Sequence, residues 1–145
     1  MKVKFVKLDQ RATVPTYGTE FSAGADLYNL QGEDVVIPPH ATVMIHTGLA
    51  VELPEGYCGL IFARSGLASK RGLAPANKVG VVDSDYRGEW MVALHNHSDK
   101  EATVEGGERI AQAVIVPYVR ADFEEADSLS DTDRGAGGFG STGQR

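Results

Sequence analysis

The chain has 145 residues, enough for one domain with a sizeable core but too few for two. Its formal net charge of -6 sets the molecule as a whole against nucleic acid and anionic lipid, so an anionic ligand requires a local basic site. Cys58 is the single cysteine, which excludes an internal disulfide and fits a reducing, cytoplasmic setting; residues 1–10 lack the apolar centre of a secretion signal, and no stretch reaches the length of a membrane span.

Taken in chain order, the pattern is mostly β. Residues 42–47 alternate, with Val43 and Ile45 on one face. Residues 65–71 read as a brief helix, with Ser65 able to cap its start and Gly72 placed to end it. In the segment GVVDSDYRGEW at residues 80–90, Gly88 marks a hairpin. Trp90, Val92 and Leu94 then share a strand face. Residues 110–116 form another apolar run, in which Gln112 falls in step with Ile110, Val114 and Val116. Many short strands between frequent glycines and prolines predict an all-β fold, a jelly-roll-like β-sandwich or distorted barrel with one short helix. Residues 1–119 form its β body. Residues 120–133 are a polar linker, and residues 134–145 are a glycine-rich flap, within a single domain overall.

Three segments carry candidate chemistry. Arg64, Ser65 and Gly66 bring a guanidinium, a hydroxyl and the free N–H groups of a helix start to one spot suited to phosphate; a capped helix with a solvated arginine explains them equally well. Ser65 is no hydrolase nucleophile, because the glycine of the elbow motif is missing two residues earlier. Asp83 and Asp85 stand at i and i+2. Asp83 directly follows Val81 and Val82 and is expected at the buried edge of a strand, where a carboxylate has a purpose. The third segment is RGAGGFGSTG at residues 134–143. Gly135, Gly137 and Gly140 match a dinucleotide fingerprint, but no strand-turn-helix context surrounds them, and Ser141 stands where a P-loop would need lysine. Of a phosphate-binding flap and a disordered polar tail, composition alone favours the tail, and Phe139 is the objection, because an aromatic there suggests a surface to stack on.

Weaker signals have plainer readings. His95 and His97, at i and i+2, lack zinc spacing and read as solvated edge residues. Glu108 and Arg109 read as a surface pair.

Together, AGADLYN (residues 23–29), ARSGLA (63–68), GVVDSDYRG (80–88), GERIAQ (107–112) and RGAGGFGSTG (134–143) resemble the five ordered motifs of the trimeric deoxyuridine triphosphatases. The likeness covers nearly the whole chain. It implies a homotrimer with active sites shared between subunits, and Mg2+-dependent hydrolysis of dUTP to dUMP and pyrophosphate. It implies that Asp83 orients the water attacking the α-phosphorus, and that Arg64, Ser65, Gly66 and Gln112 hold phosphate oxygens. It further implies that Asn77, Gly80, Val81, Val82 and Met91 read uracil, while Tyr86 packs on the deoxyribose. Asp26 would anchor magnesium through water, the metal sitting mainly on the phosphates. Arg134, Gly140 and Ser141 would close on the phosphates, with Phe139 over the base. The related dCTP deaminases share the fold but lack the glycine-rich last motif. A non-catalytic trimeric β module that binds a nucleotide or a protein is the alternative from another class. Neither nucleic acid nor membrane is an implied partner.

Overall fold

The computed structural model describes residues 1–139. Eleven strands and one helix are present there: β1 (Lys4–Lys7), β2 (Thr16–Tyr17), β3 (Ala25–Tyr28), β4 (Val35–Ile37), β5 (Thr42–Glu52), β6 (Tyr57–Phe62), α1 (Ser65–Arg71), β7 (Leu73–Pro75), β8 (Gly80–Val82), β9 (Glu89–Asn96), β10 (Ala102–Val104) and β11 (Arg109–Pro117). One sheet runs β1-β5-β9-β7, a second β2-β3-β11-β6-β8, and β10 pairs with β4. This is the all-β class that the pattern predicts.

Alternation along β9 explains its place between the layers. Trp90, Val92 and Leu94 are buried and meet Ile45 and Val51 of β5, while Leu27, Ile61, Ala111 and Ala113 come from the second sheet. Each fully buried leucine or isoleucine stabilises this layer by roughly 1.5–3 kcal/mol. The strand expected at residues 42–47 continues to Glu52 through a register shift between His46 and Ala50. Gly48 makes that possible with a φ of 70°, and a Cβ there would stand 2.8 Å from Leu30 Cδ2.

Two expectations are corrected here. β8 pairs with β6 in one sheet while β9 pairs with β5 and β7 in the other, so residues 83–88 form a corner between sheets instead of a paired hairpin. On β11, Gln112 is out of step with Ile110. A bulge sets Arg109 opposite Tyr28 and Ala111 opposite Leu27, so Ile110 is an extra residue and the faces exchange. Ile110 and Ala111 are therefore both buried.

Past Pro117 the described chain has neither helix nor strand and is largely exposed. Among the described residues no helix is long and apolar enough to cross a membrane.

Candidate active site

The bulge has a direct chemical result. Asp26 faces Gln112 across the β3–β11 ladder, and Arg109 faces Tyr28, which lies two residues beyond Asp26 on the same face. Arg109 and Gln112, three apart, consequently line one cleft. Gly18, Ser22, Gly24, Asp26, Arg64, Ser65 and Gly66 line it with them, around a space of ≈ 490 Å³. That lies within the ~300–1,000 Å³ of ordinary ligand pockets.

Asp26 is the centre of this cleft. Its Oδ1 accepts from Arg64 Nε at 2.9 Å and its Oδ2 from Arg109 Nη1 at 3.3 Å, and its side chain is 13% exposed. The glutamate and arginine expected to pair with each other thus pair elsewhere: Arg109 with Asp26, and Glu108 with Arg71 of α1. Glu108 still belongs to the turn before β11, whereas Arg109 is the first residue of the strand, which separates them. Two guanidiniums and one carboxylate leave the cleft with one net positive charge, the local basic site that an anionic ligand requires of an acidic chain.

Gln112 is fixed from two sides. Its Nε2 donates to the Ala63 carbonyl at 2.9 Å, leaving the second amide hydrogen for a ligand. Gly24 lies against it so closely that a Cβ there would stand 2.5 Å from Gln112 Oε1. Ser65 corrects a further expectation. The N-cap is Arg64, in extended conformation, without a side-chain capping bond. Ser65 is the first helical residue and exposed, so its hydroxyl is not spent on the helix. Gly72 does end α1 in the left-handed region, with a φ of 66°.

The remaining predicted residues gather elsewhere. Asn77, Gly80, Val81, Val82, Asp83, Tyr86 and Met91 line a second cleft of ≈ 260 Å³ together with Met44, Ile61 and Trp90. Gly80 passes close to Asn77, since a Cβ on it would lie 3.4 Å from Asn77 Nδ2. Tyr86 Oη donates to the Glu89 carbonyl at 3.1 Å, and the Tyr86 N–H donates to the Asp83 carbonyl at 3.2 Å. Asp83 is exposed just past β8, where burial was expected, because the chain leaves the sheet there to cross to the other layer. Gly88, expected only as a hairpin marker, has a second role that sequence reasoning missed. A Cβ on it would collide with the Tyr86 hydroxyl and ring, so only glycine lets the phenol fold back over the corner. The signal was available as a glycine two residues after a tyrosine in a turn.

The two clefts share no lining residue among the described ones. Ile61 borders one and its neighbour Phe62 the other, so β6 stands between them. Arg134 and Phe139 line neither; Arg134 Nε donates to the Gly137 carbonyl at 3.0 Å, and Phe139 is fully exposed. Gly140 and Ser141 lie outside the described residues.

Asn29, unassigned by the sequence, is buried and bridges its own loop to the β10–β11 turn by donating to the Glu33 and Glu105 carbonyls. His95 is half-buried and His97 exposed, their rings in edge contact with centroids 4.4 Å apart.

For a metal, Asp26 is the sole carboxylate on the Arg64 cleft, and no group of three or more potential protein ligands occurs among the described residues. Two of the four lone-pair positions of Asp26 are taken by arginines. Such a site fits an octahedral hard cation that arrives on phosphate oxygens with its waters and meets the chain at one carboxylate.

A family model described as dUTPase matches residues 10–143. A deoxyuridine 5'-triphosphate nucleotidohydrolase of Nautilia profundicola is 52% identical over 99% of this chain and 100% of its own length. One from a Hydrogenobaculum species is 50% identical over the whole of both chains. Among solved structures, the Staphylococcus bacteriophage 80alpha dUTPase with dUPNHPP is similar with a TM-score of 0.89 and 30% identity, covering 98% of each chain. A dUTPase from phage phi11 of S. aureus, described for its coordination of a structural Mg(II) ion, shares the fold at a TM-score of 0.82 and 24% identity, over 90% of this chain and 100% of that one.

Proposed function

The chain belongs to the dUTPase family, a dUTP nucleotidohydrolase yielding dUMP, and from that premise we propose how its residues divide the reaction. The observation that carries the proposal is the separation of the two clefts. One chain presents cationic and hydroxyl groups suited to a triphosphate on one side of β6, and backbone, amide and aromatic groups suited to a pyrimidine nucleoside on the other. A nucleotide needs both at once. The site is therefore assembled between copies of the chain in a homotrimer, each copy lending its Arg64 cleft to one site and its Tyr86 cleft to another. Open edges at β1 and β2 support assembly, since they flank an apolar cleft bordered by Val3, Phe5, Val14, Tyr17 and Ile115, with Phe5 and Tyr17 44% and 58% exposed.

In the composite site the Asp83 carboxylate orients a water for in-line attack on the α-phosphorus and accepts its proton as the bond forms. The bond from the α-phosphorus to the bridging oxygen breaks, and pyrophosphate leaves with that oxygen. Arg64, the Ser65 hydroxyl, the Gly66 N–H and Gln112 meet phosphate oxygens, where leaving-group charge grows. Asp26 would hold magnesium through water, and the metal when bound would supply charge neutralisation of the triphosphate. At the other end, the backbone at Gly80, Val81, Val82 and Met91 and the Asn77 amide pair with the uracil edge. Cytosine would leave those groups unpaired. Tyr86 closes on the deoxyribose and leaves no room for a 2'-hydroxyl. Arg134, Gly140 and Ser141 cover the phosphates and Phe139 covers the base. The setting is cytoplasmic, and neither nucleic acid nor a membrane takes part.

An assay of dUTP, dCTP, dTTP and UTP with magnesium tests this reading. Pyrophosphate should come from dUTP alone, and in ¹⁸O-water the label should enter dUMP. Ammonia release from dCTP would replace the reading by a deaminase, and label in pyrophosphate would move the attack to the β-phosphorus.

A further inference from the structure

The phosphate-facing residues of the Arg64 cleft sit at the start of a helix that is poorly equipped to hold its own position. α1 has seven residues, which is too short for independent stability, has no side-chain cap, and buries only Leu67. One buried side chain fixes a pivot but leaves orientation open. Orientation is set by the flanking strands β6 and β7, by Gln112 on the Ala63 carbonyl and the His97 N–H on the Gly72 carbonyl, and is completed by ionic contacts at both ends. Arg64, the N-cap, is tied to Asp26 on β3. Arg71, the last helical residue, donates through Nη1 to Glu108 Oε1 and through Nη2 to the Thr103 carbonyl. Glu108 is itself held, because its Oε2 accepts the Glu105 N–H at 3.0 Å and its backbone carbonyl accepts the Asn29 N–H at 2.9 Å. Its neighbour Arg109 reaches Asp26 from the other side. The contacts close a ring: Arg71 to Glu108, along the chain to Arg109, to Asp26, to Arg64, and back through the helix.

We infer that Arg71 and Glu108 are positioning residues for hydrolysis, clamping the far end of α1 so that Arg64, Ser65 and Gly66 meet the phosphates at the correct angle. Neither touches substrate. The inference rests on the proposed phosphate role of Ser65 and Gly66. Arg71 and Glu108 side chains are 35% and 24% exposed, and partly solvated pairs of this kind add little to global stability. A small rotation of a seven-residue helix, by contrast, moves its first residues by a large part of a hydrogen-bond length. Misplacement of about 1 Å costs on the order of 10²-fold in rate.

The test compares Arg71→Met, Glu108→Gln, their double variant, Arg71→Lys and Ser65→Ala in the full chain, each with kcat, KM for dUTP and thermal midpoint. Each single clamp variant should lose roughly 10-fold or more in kcat. KM should change by less than about threefold, because the base cleft is untouched, and the midpoint should move by only a few degrees. The double variant should be no slower than the slower single, as expected when both act through one contact. Arg71→Lys, which keeps the charge, should recover part of kcat and provides the readout if Arg71→Met folds poorly. Unchanged kcat in Glu108→Gln, additive losses, or losses that follow the thermal midpoint would each overturn the clamp. Ser65→Ala separates the two layers of argument: full kcat there would remove the phosphate role itself, whereas slow Ser65→Ala beside fast clamp variants would reject the clamp alone.

Discussion

Arg64 Nε lies 2.9 Å from Asp26 Oδ1, a contact between residues 38 positions apart that orients the guanidinium before any ligand arrives. A free arginine would lose side-chain freedom on binding, whereas this one has already lost it on folding. The same carboxylate restrains Arg109, so its charge sets how strongly the cleft holds anions.

Asp26→Asn therefore has two opposed effects. The cleft gains one unit of positive charge, so pyrophosphate should inhibit more strongly, while Arg64 loses its orientation and kcat should fall roughly 10-fold or more. Inhibition and turnover measured on one preparation decide this. Stronger inhibition with unchanged kcat would mean that the aspartate does not restrain the arginines.

Asp83→Asn keeps shape and removes the proton acceptor. We expect kcat to drop roughly 10²-fold or more with dUTP affinity little changed. Near-normal turnover would take Asp83 out of the reaction.

Gly88→Ala pushes against the end of a half-exposed side chain, so Tyr86 swings away at a cost in stability below ~1 kcal/mol. Discrimination should suffer far more than folding, with UTP hydrolysis rising relative to dUTP as it should in Tyr86→Ala. A UTP-to-dUTP ratio equal to wild type in both variants would separate the tyrosine from sugar selection.

Removal of residues 134–145 leaves every described strand and α1 intact. Its product should keep the thermal midpoint of the full chain and lose most of kcat/KM for dUTP. Full kcat/KM would show that the glycine-rich segment is dispensable.

Loss of hydration, followed by the positive charges of His95, Lys78 and His40, holds His97 below the ordinary imidazole value of 6.5. The unfolded chain thus takes up this proton first as pH falls, so His97 subtracts stability below about pH 6.5 and the loss levels off once the folded form is protonated too. Thermal midpoints of wild type and His97→Gln should run parallel from pH 8 to 7 and then move against wild type toward pH 5. A constant offset across that range contradicts the assignment.

Local chemistry was legible in the sequence. Gly72 ends α1 because it alone there tolerates the left-handed region, and alternation alone placed Trp90, Val92 and Leu94 in the core. Non-local facts were not legible. Ser65 has a capping side chain, yet Arg64 takes the extended cap position. Glu108 and Arg109 look like partners along the chain, but the passage from turn to strand between them sends them to Arg71 and Asp26, respectively. The two-cleft arrangement was equally hidden, because the motif segments follow one another without showing that β8 and β9 enter different sheets.

The extra residue at Ile110 has a consequence for how chain length and chemistry are linked. Without it the ladder would run regularly, Arg109 opposite Tyr28, Ala111 opposite Leu27 and Gln112 opposite Asp26, so Arg109 and Gln112 would stand two apart and still share the cleft face. What a one-residue gap here removes is a fully buried core side chain, while the face turned to the ligand is kept.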